Sequence, residues 1–413
     1  MKLESKVTKG VGLRNARCNT RGFTNGFTNG NGYRNGRKLK ESRNHGKILA
    51  VFVLAMLVLS VVAVLTWQSS SAGVIKINAG TKMEIKYTPH GPIHINGNAD
   101  FTSANGVIGG SGTQSDPYII EGWEIDANGG AYAIWIENTD VYFVIRNCKV
   151  YGAAYNGGSI EGGGITLYFV KNGILENNHC TNSSFGIILA VTQNTTARNN
   201  KVFNNSEVGV DLRGAISTTI CENIVSGSNI GVYLSSNAQY NNLTQNNVSY
   251  NNEGIRGIHT HFNTITGNNL AYNRYGIYLT VATNNTITYN SILYNTEYGI
   301  YMFYACGDNY IHHNNFIGNR VISKGNGGNS QAYDVNSGNS WHDATVQQGN
   351  YWSNWDGQGW GTPNAYPIDG GAGASDWYPL GNPVCEGSAQ FLLPVLLSGI
   401  IGFAGARIRK TAK

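Results

Sequence analysis

Charge is scarce in this chain. Asp, Glu, Lys and Arg together make up 13% of its 413 residues, about half the usual share. Proline is rare as well, at eight residues, and the 54 glycines follow no Gly-X-Y triplet, which excludes a collagen-like fibre. Cysteine is sparse and scattered. Cys18, Cys148, Cys180, Cys221, Cys306 and Cys385 show no C-x-x-C pair and no Cys/His metal spacing, so neither a disulfide framework nor a zinc module is expected. Buried single thiols acting as small hydrophobes fit better. A 41% hydrophobic share with 24 Tyr and 8 Trp excludes a wholly disordered chain.

The charge that is present is segregated. The formal net charge is +5. Residues 1–47 carry twelve Lys/Arg against Glu4 and Glu41, and the last seven residues add Arg407, Arg409, Lys410 and Lys413. The body between them is therefore net acidic. That excludes a nucleic-acid-binding body, since phosphate contacts need a basic footprint.

The basic clusters flank two apolar runs. Ile48–Leu65 is eighteen residues without a charge, roughly 27 Å as a helix and long enough to cross most of a bilayer core. The expected organisation is a disordered cytoplasmic tail over 1–47, rich in Thr-Asn-Gly, and a transmembrane helix over 48–66. By the positive-inside rule the body lies outside the cell membrane. Cleavage near Ser70-Ser71-Ala72, as in a signal peptide, is the alternative. A second run, Phe391–Ala406, is followed by Arg-Ile-Arg-Lys and is expected to return to the membrane as a second anchor.

Between the two runs the sequence repeats. Gly164, Gly186, Gly209, Gly231, Gly254, Gly276 and Gly299 recur every 22 or 23 residues, each followed by aliphatics at alternate positions. Asn178, Asn200, Asn223, Asn246, Asn268, Asn290 and Asn314 recur in step, with Cys148 and Trp123 in the equivalent place of two earlier units. A second column follows at Asn205, Asn251, Asn273, Asn295 and Asn319, with Ser228 in its gap. A unit of two or three short strands cannot bury its own apolar face, so the units must stack. A leucine-rich repeat shares the period but would place Asn after a single Leu-rich strand. Here Asn sits between β-branched residues, as in Ile287-Thr-Tyr-Asn290-Ser-Ile292. The expected fold is an all-β solenoid: a single-stranded right-handed parallel β-helix of about nine coils over residues 118–320, capped by 74–117 and 321–381. The Asn columns are expected to be structural, satisfying backbone groups at corners and adopting the left-handed conformation there.

These coils resemble the repeats of the NosD-like group within the pectin-lyase-like superfamily. HGPIHINGNADF with GGSGTQSDPYIIEGWEID resembles the opening segment of archaeal surface proteins of this kind. Gly349-Asn350-Tyr351-Trp352, Tyr366-Pro367-Ile368 and Asp376-Trp377-Tyr378-Pro379-Leu380 resemble their closing segment. The resemblance spans about residues 88–381 and implies the fold and an exported location. It also brings periplasmic copper delivery into view, the role for which members are named. The Asp-rich, calcium-like run of relatives is reduced here to Asp356 in WDGQGWG.

Stacking turns sequence offsets into surface columns about 4.8 Å apart. The position two residues after each Gly reads Asp211, Tyr233, Arg256, Tyr278 and Tyr301, an outward row suited to stacking and hydrogen-bonding sugar rings. The plainer reading is that Tyr shields an exposed sheet. Glycosidase chemistry requires two carboxyls about 5–9 Å apart. Glu207, Glu253 and Glu297 share an offset of seven from a ladder Asn, but two coils separate each from the next, and a solvated surface role is the expectation for Glu253 and Glu297. Asp211 with Arg213 is the nearest approach to a lyase-type site. His259 and His261 are alternate strand residues that could chelate one ion, and His312-His313 is the other close pair. No cofactor is expected. Asn182, Asn194, Asn204, Asn242, Asn247 and Asn284 stand in N-x-Ser/Thr sites open to glycosylation outside the cell. The expected function is a membrane-anchored, non-enzymatic surface scaffold or adhesin facing carbohydrate. A polysaccharide lyase or hydrolase and a copper accessory protein are the alternatives.

Overall fold

The structure is a computed structural model that describes residues 86–158, 160–320, 330–355 and 365–384. The tail, both apolar runs, Cys18, Cys385 and Asp356 lie outside these residues. Among the described residues no helix is long and apolar enough to cross a membrane.

Each coil lays down three strands, such as Phe185–Ala190, Thr196–Arg198 and Lys201–Phe203. Successive coils pair in parallel, building three sheets of 11, 10 and 11 strands among the described residues. The result is a right-handed parallel β-helix of about nine turns. One of the three sheets carries the longest strands, among them Glu253–His261 and Tyr275–Thr283; it is called the long-strand sheet below. The stack continues past the expected limits of 118 and 320. Ile93–Asn96 pairs with the coil after it, and Ala332–Asp334 and Tyr351–Trp352 each add to a sheet at the far end.

The alternation in sequence becomes a continuous interior. Ile187, Val210, Val232, Ile255, Ile277 and Ile300 stand in register on successive strands, all buried. Each such side chain contributes roughly 1.5–3 kcal/mol through burial. The repeating glycine is required by close approach, not by its φ. A Cβ at Gly254 would lie 2.5 Å from the Gly276 carbonyl oxygen, and one at Gly231 would lie 2.6 Å from that of Gly254.

The asparagines form amide ladders inside the corners. Asn200 donates from Nδ2 to Asn223 Oδ1 at 3.0 Å and to Leu175 O at 2.9 Å, while its backbone N–H donates to the same Asn223 oxygen at 2.9 Å. The pattern runs unbroken from Asn178 to Asn350, and Cys148 N–H starts it by donating to Asn178 Oδ1. The second column runs from Asn251 to Asn319 and ends on Gln331 Oε1. A third column, missed in the sequence, joins Asn241, Asn263, Asn285, Asn309 and Asn339. One expectation is corrected. The ladder residues themselves are not left-handed; the residue before each one is, Asn350 apart, as at Asn177 (φ 56), Asn199 (φ 54) and Gln245 (φ 56). The corner bends first, and the next side chain then turns inward to bond.

The closing motifs extend this logic. Asn350 is the last ladder rung, and Asp376 ends it by accepting from Asn350 N at 2.7 Å and Trp352 Nε1 at 2.9 Å. Trp352 stacks on Phe316 and Tyr366 at 4.1 and 4.0 Å, plugging the core. At the other end Phe101 stacks on Tyr118. Cys148, Cys180 and Cys306 are buried free thiols, and burial pushes Cys148 and Cys306 up to about 11.

Candidate functional site

The outer face of the long-strand sheet gathers the side chains with the most binding chemistry. Register places Asp211, Tyr233, Arg256, Tyr278 and Tyr301 in one column and adds Tyr333. Tyr333 lies 32 residues beyond Tyr301 across an insertion, so the repeat period could not reveal it.

The rings stack on one another. Tyr278 and Tyr301 are 5.2 Å apart, and Tyr301 and Tyr333 are 4.6 Å apart with planes 9° from parallel. Arg256 lies between the rings of Tyr233 and Tyr278, at 5.9 and 5.4 Å, in a cation–π arrangement. Faces are therefore largely spent on neighbours, and the strip offers ring edges outward. A parallel row one position before the glycines holds Tyr275 and Tyr298, with Arg274 over the Tyr275 ring and Arg320 over Tyr298. Arg274 pairs with Glu297 at 3.3 Å, and Arg320 pairs with Asp369. Burial, reinforced by neighbouring tyrosines, pushes Tyr301 up to about 12, so its phenol stays a protonated donor.

The acids do not sit as their offsets implied. Asp211 is 0% exposed, sealed beneath Arg213, which holds its Oδ2 at 2.6 Å and reaches over the Phe185 ring. Asp211 Oδ1 has no partner, and burial pushes this carboxyl up to about 6 against the pull of Arg213. Glu253 is not a solvated surface residue either. It is 8% exposed, and burial raises its pKa while Arg256 and Arg274 lower it. Glu207 and Glu297 fall in a different column from Glu253. Nine residues separate Asn200 from Gly209 and Asn290 from Gly299, whereas eight separate Asn246 from Gly254. The extra residue shifts the register by one position, so Glu253 aligns with Ile230 and Tyr275. Glu253 and Glu297 thus stand in different columns two coils apart, both within electrostatic reach of Arg274 and Tyr275.

His259 sits at a left-handed corner (φ 50), and His261 is tied through Nδ1 to Thr283 Oγ1 at 2.8 Å. His312 and His313 bond to each other, Nδ1 to Nδ1 at 2.6 Å, and His313 Nε2 bonds to Gln348 Oε1 at 2.6 Å. Among the described residues no three His, Cys, Asp or Glu side chains converge on one point. Tetragonal copper and the copper centre of two His and one Cys take three or more such donors, and these histidines do not supply them.

A family model described as periplasmic copper-binding protein (NosD) matches residues 68–281 and 258–357. The chain belongs to that family, whose periplasmic description agrees with an extracytoplasmic body. Curated proteins give no match. Among solved structures, the Dettilon tailspike protein is similar at 16% identity and a TM-score of 0.47, over 64% of this chain and 59% of that one. The periplasmic alginate epimerase AlgG, as a double mutant, shows 16% identity and a TM-score of 0.40, over 55% and 69%. The A-module of the mannuronan C-5 epimerase AlgE4 of Azotobacter vinelandii shows 16% and 0.35, over 48% and 63%. The chain thus spans less than two thirds of the tailspike and of the AlgE4 module.

Proposed function

We propose that this chain is a membrane-anchored, extracytoplasmic and non-enzymatic surface protein whose C-terminal coils face a glycan. The observation that carries this reading is the strip Tyr233–Arg256–Tyr278–Tyr301–Tyr333, a half-buried, internally stacked row of Tyr and Arg. Tyr and Arg dominate binding hot spots because they combine large area with fixed hydrogen-bonding groups. The neighbouring Arg–carboxylate pairs cancel local charge, which favours a neutral polymer over a polyanion. Ring edges and fixed hydroxyls serve sugar hydroxyls along the strip, and sugar stacking is left to whichever ring faces stay open.

A glycan array with the purified protein beside Tyr233→Ala, Tyr278→Ala and Tyr301→Ala tests this. Each lost aromatic contact is expected to cost about 0.5–1.5 kcal/mol, and Tyr301→Ala the most, because it stands between two stacked neighbours. Binding untouched by all three substitutions reduces the strip to a cover over the sheet. Cleavage of a polymer, abolished by Glu253→Gln, would establish the enzyme reading instead. Stoichiometric copper lost with His259→Ala and His261→Ala would establish the metal reading. Anchoring is tested separately: protease on intact cells should remove the body and spare a tag on the 1–47 tail.

A further inference from the structure

The first strands of the long-strand sheet carry a second aromatic cluster, with a charge unlike that of the tyrosine strip. His94 and Trp135 are register partners on Ile93–Asn96 and Tyr132–Thr139, and they head the outward column that continues into Thr166, Ile188 and Asp211. Tyr132 belongs to the row one position before the glycines. The three rings meet. Tyr132 and Trp135 are 5.3 Å apart at 86°, His94 lies 5.6 Å from Tyr132, and His94 lies 5.9 Å from Trp135. Tyr132 and Trp135 are half-buried, and the His94 side chain is 44% exposed.

Glu137 closes the cluster. It stands two residues beyond Trp135, on the same side of the strand, and accepts from His94 Nε2 at 2.9 Å. Of the eight ion pairs among the described residues, seven set Arg or Lys against the carboxylate, and this one sets a histidine. Asp100 adds a second carboxylate, accepting at 3.1 Å from the backbone N–H of Asn96, the register partner of Glu137.

The other end of the same face shows what such an assembly holds. Arg256 lies between Tyr233 and Tyr278, Arg274 over Tyr275 and Arg320 over Tyr298, and each of these guanidiniums also pairs with a carboxylate. There the chain supplies one cation to rings and acid together. Among the described residues no Lys or Arg lies over Tyr132 or Trp135. Rings and carboxylate stand together here without a cation from a described residue.

We infer that this cluster binds a methylated ammonium group of the choline kind. Such a cation is attracted to ring faces, to Trp most of all. Glu137 sets the sign of the ligand. A primary ammonium is strongly hydrated and gains less from the rings. Glu137 and Asp100 also disfavour a carboxylate carried beside the cation, so choline outranks glycine betaine. The site lies apart from the tyrosine strip and does not depend on what that strip binds.

The test is saturation-transfer NMR and calorimetry on the full chain, with tetramethylammonium and choline as probes. Glycine betaine and dimethylbutanol, the uncharged isostere of choline, are the comparators. Choline is expected to bind with a dissociation constant on the order of 1 mM, and the neutral alcohol about tenfold more weakly. Glu137→Gln keeps an oxygen for the His94 N–H and removes the charge, so it should weaken choline about tenfold with the urea midpoint in place. A merely structural glutamate would leave binding alone. Trp135→Leu removes the ring and keeps an apolar side chain, with a loss of about fivefold expected. Tyr301→Ala should leave choline binding as it is. The inference is overturned if neither probe binds, if dimethylbutanol or glycine betaine matches choline, if Glu137→Gln and Trp135→Leu both leave affinity unchanged, or if Tyr301→Ala abolishes it.

Discussion

The coils before about residue 217 and those after about residue 240 share one interior and wear different exteriors. Left-handed corners in the first group are mostly Asn (Asn147, Asn172, Asn177, Asn182, Asn194, Asn199, Asn204), with Phe169 and Val191 as apolar exceptions. In the second group Tyr240, Tyr250, Phe262, Tyr272, Tyr289 and Tyr294 join a mixed set that includes Gln245, His259, Asn284 and His313. On the outer face of the long-strand sheet, Thr166, Ile188 and Asp211 give way to Tyr233, Arg256, Tyr278 and Tyr301 in the same column. Inside, the Asn ladder and the aliphatic rows continue without a break. What folds the chain is therefore uniform along it, and what distinguishes one end from the other lies on the outward side of the strands, buried at Thr166, Ile188 and Asp211 and half-exposed at Tyr233, Arg256, Tyr278 and Tyr301.

The most severe way to break that comparison is to cut the ladder once in each half. Asn200→Ala removes the oxygen that accepts Asn178 N–H at 3.0 Å and the amide that caps Leu175 O. Asn268→Ala does the same to Asn246 N–H and Leu243 O. Each leaves two buried backbone groups without partners, so each is expected to cost about 3–5 kcal/mol. Urea unfolding should show both losses within about 1 kcal/mol of each other. A loss confined to one half would mean that the interior is not shared.

The repeat made the ladder and the solenoid legible because an interior position must satisfy every neighbouring coil, which enforces strict periodicity. Surface positions answer to no such rule. The glutamates share an offset but not a column, because one extra residue between Asn200 and Gly209 and another between Asn290 and Gly299 place Glu207 and Glu297 one position further from the glycine than Glu253. The third Asn column was countable, at intervals of 22, 22, 24 and 30, but the last two intervals stretch where corners carry extra residues. Burial was the least legible property. Nothing in the sequence says that Arg213 folds down over Asp211, or that Glu253 lies under Arg256 and Arg274.

Asp211 gives the next effect and belongs to the first half alone. Burial pushes its carboxyl up to about 6 from the ordinary value of 3.8, so the folded protein holds this proton more tightly than the unfolded chain. Stability from this site is thus highest below about pH 4 and falls as pH rises through 4 to 6. The full penalty, on the order of 2–3 kcal/mol, is present above that window. Asp211→Asn is expected to stabilise at pH 7.5 and to be neutral near pH 4, with Arg213, partly exposed, turning to solvent. Unfolding midpoints for wild type and variant across that range check the sign. A variant less stable than wild type at pH 7.5 would show that the Arg213 pair outweighs the burial of the charge.

The smallest effect tests the aromatic corners of the second half. Tyr250, Tyr272 and Tyr294 stack at 5.1 and 5.5 Å with nearly parallel planes, in a column whose other members include Asn204, Gly227 and Gly318. Left-handed backbone costs a residue with a Cβ about 1–2 kcal/mol, and each stacked pair returns about 0.5–1.5 kcal/mol. The two nearly balance for Tyr272, which has a neighbour on both faces. Tyr272→Ala keeps the backbone cost and loses both stacks, so it is expected to destabilise by about 1–2 kcal/mol. Tyr272→Gly loses the same stacks but relieves the backbone, so its net change should fall near zero. An alanine variant no less stable than the glycine one would mean that the left-handed corner carries no strain. The tyrosines of this edge would then need another reason for replacing Asn and Gly.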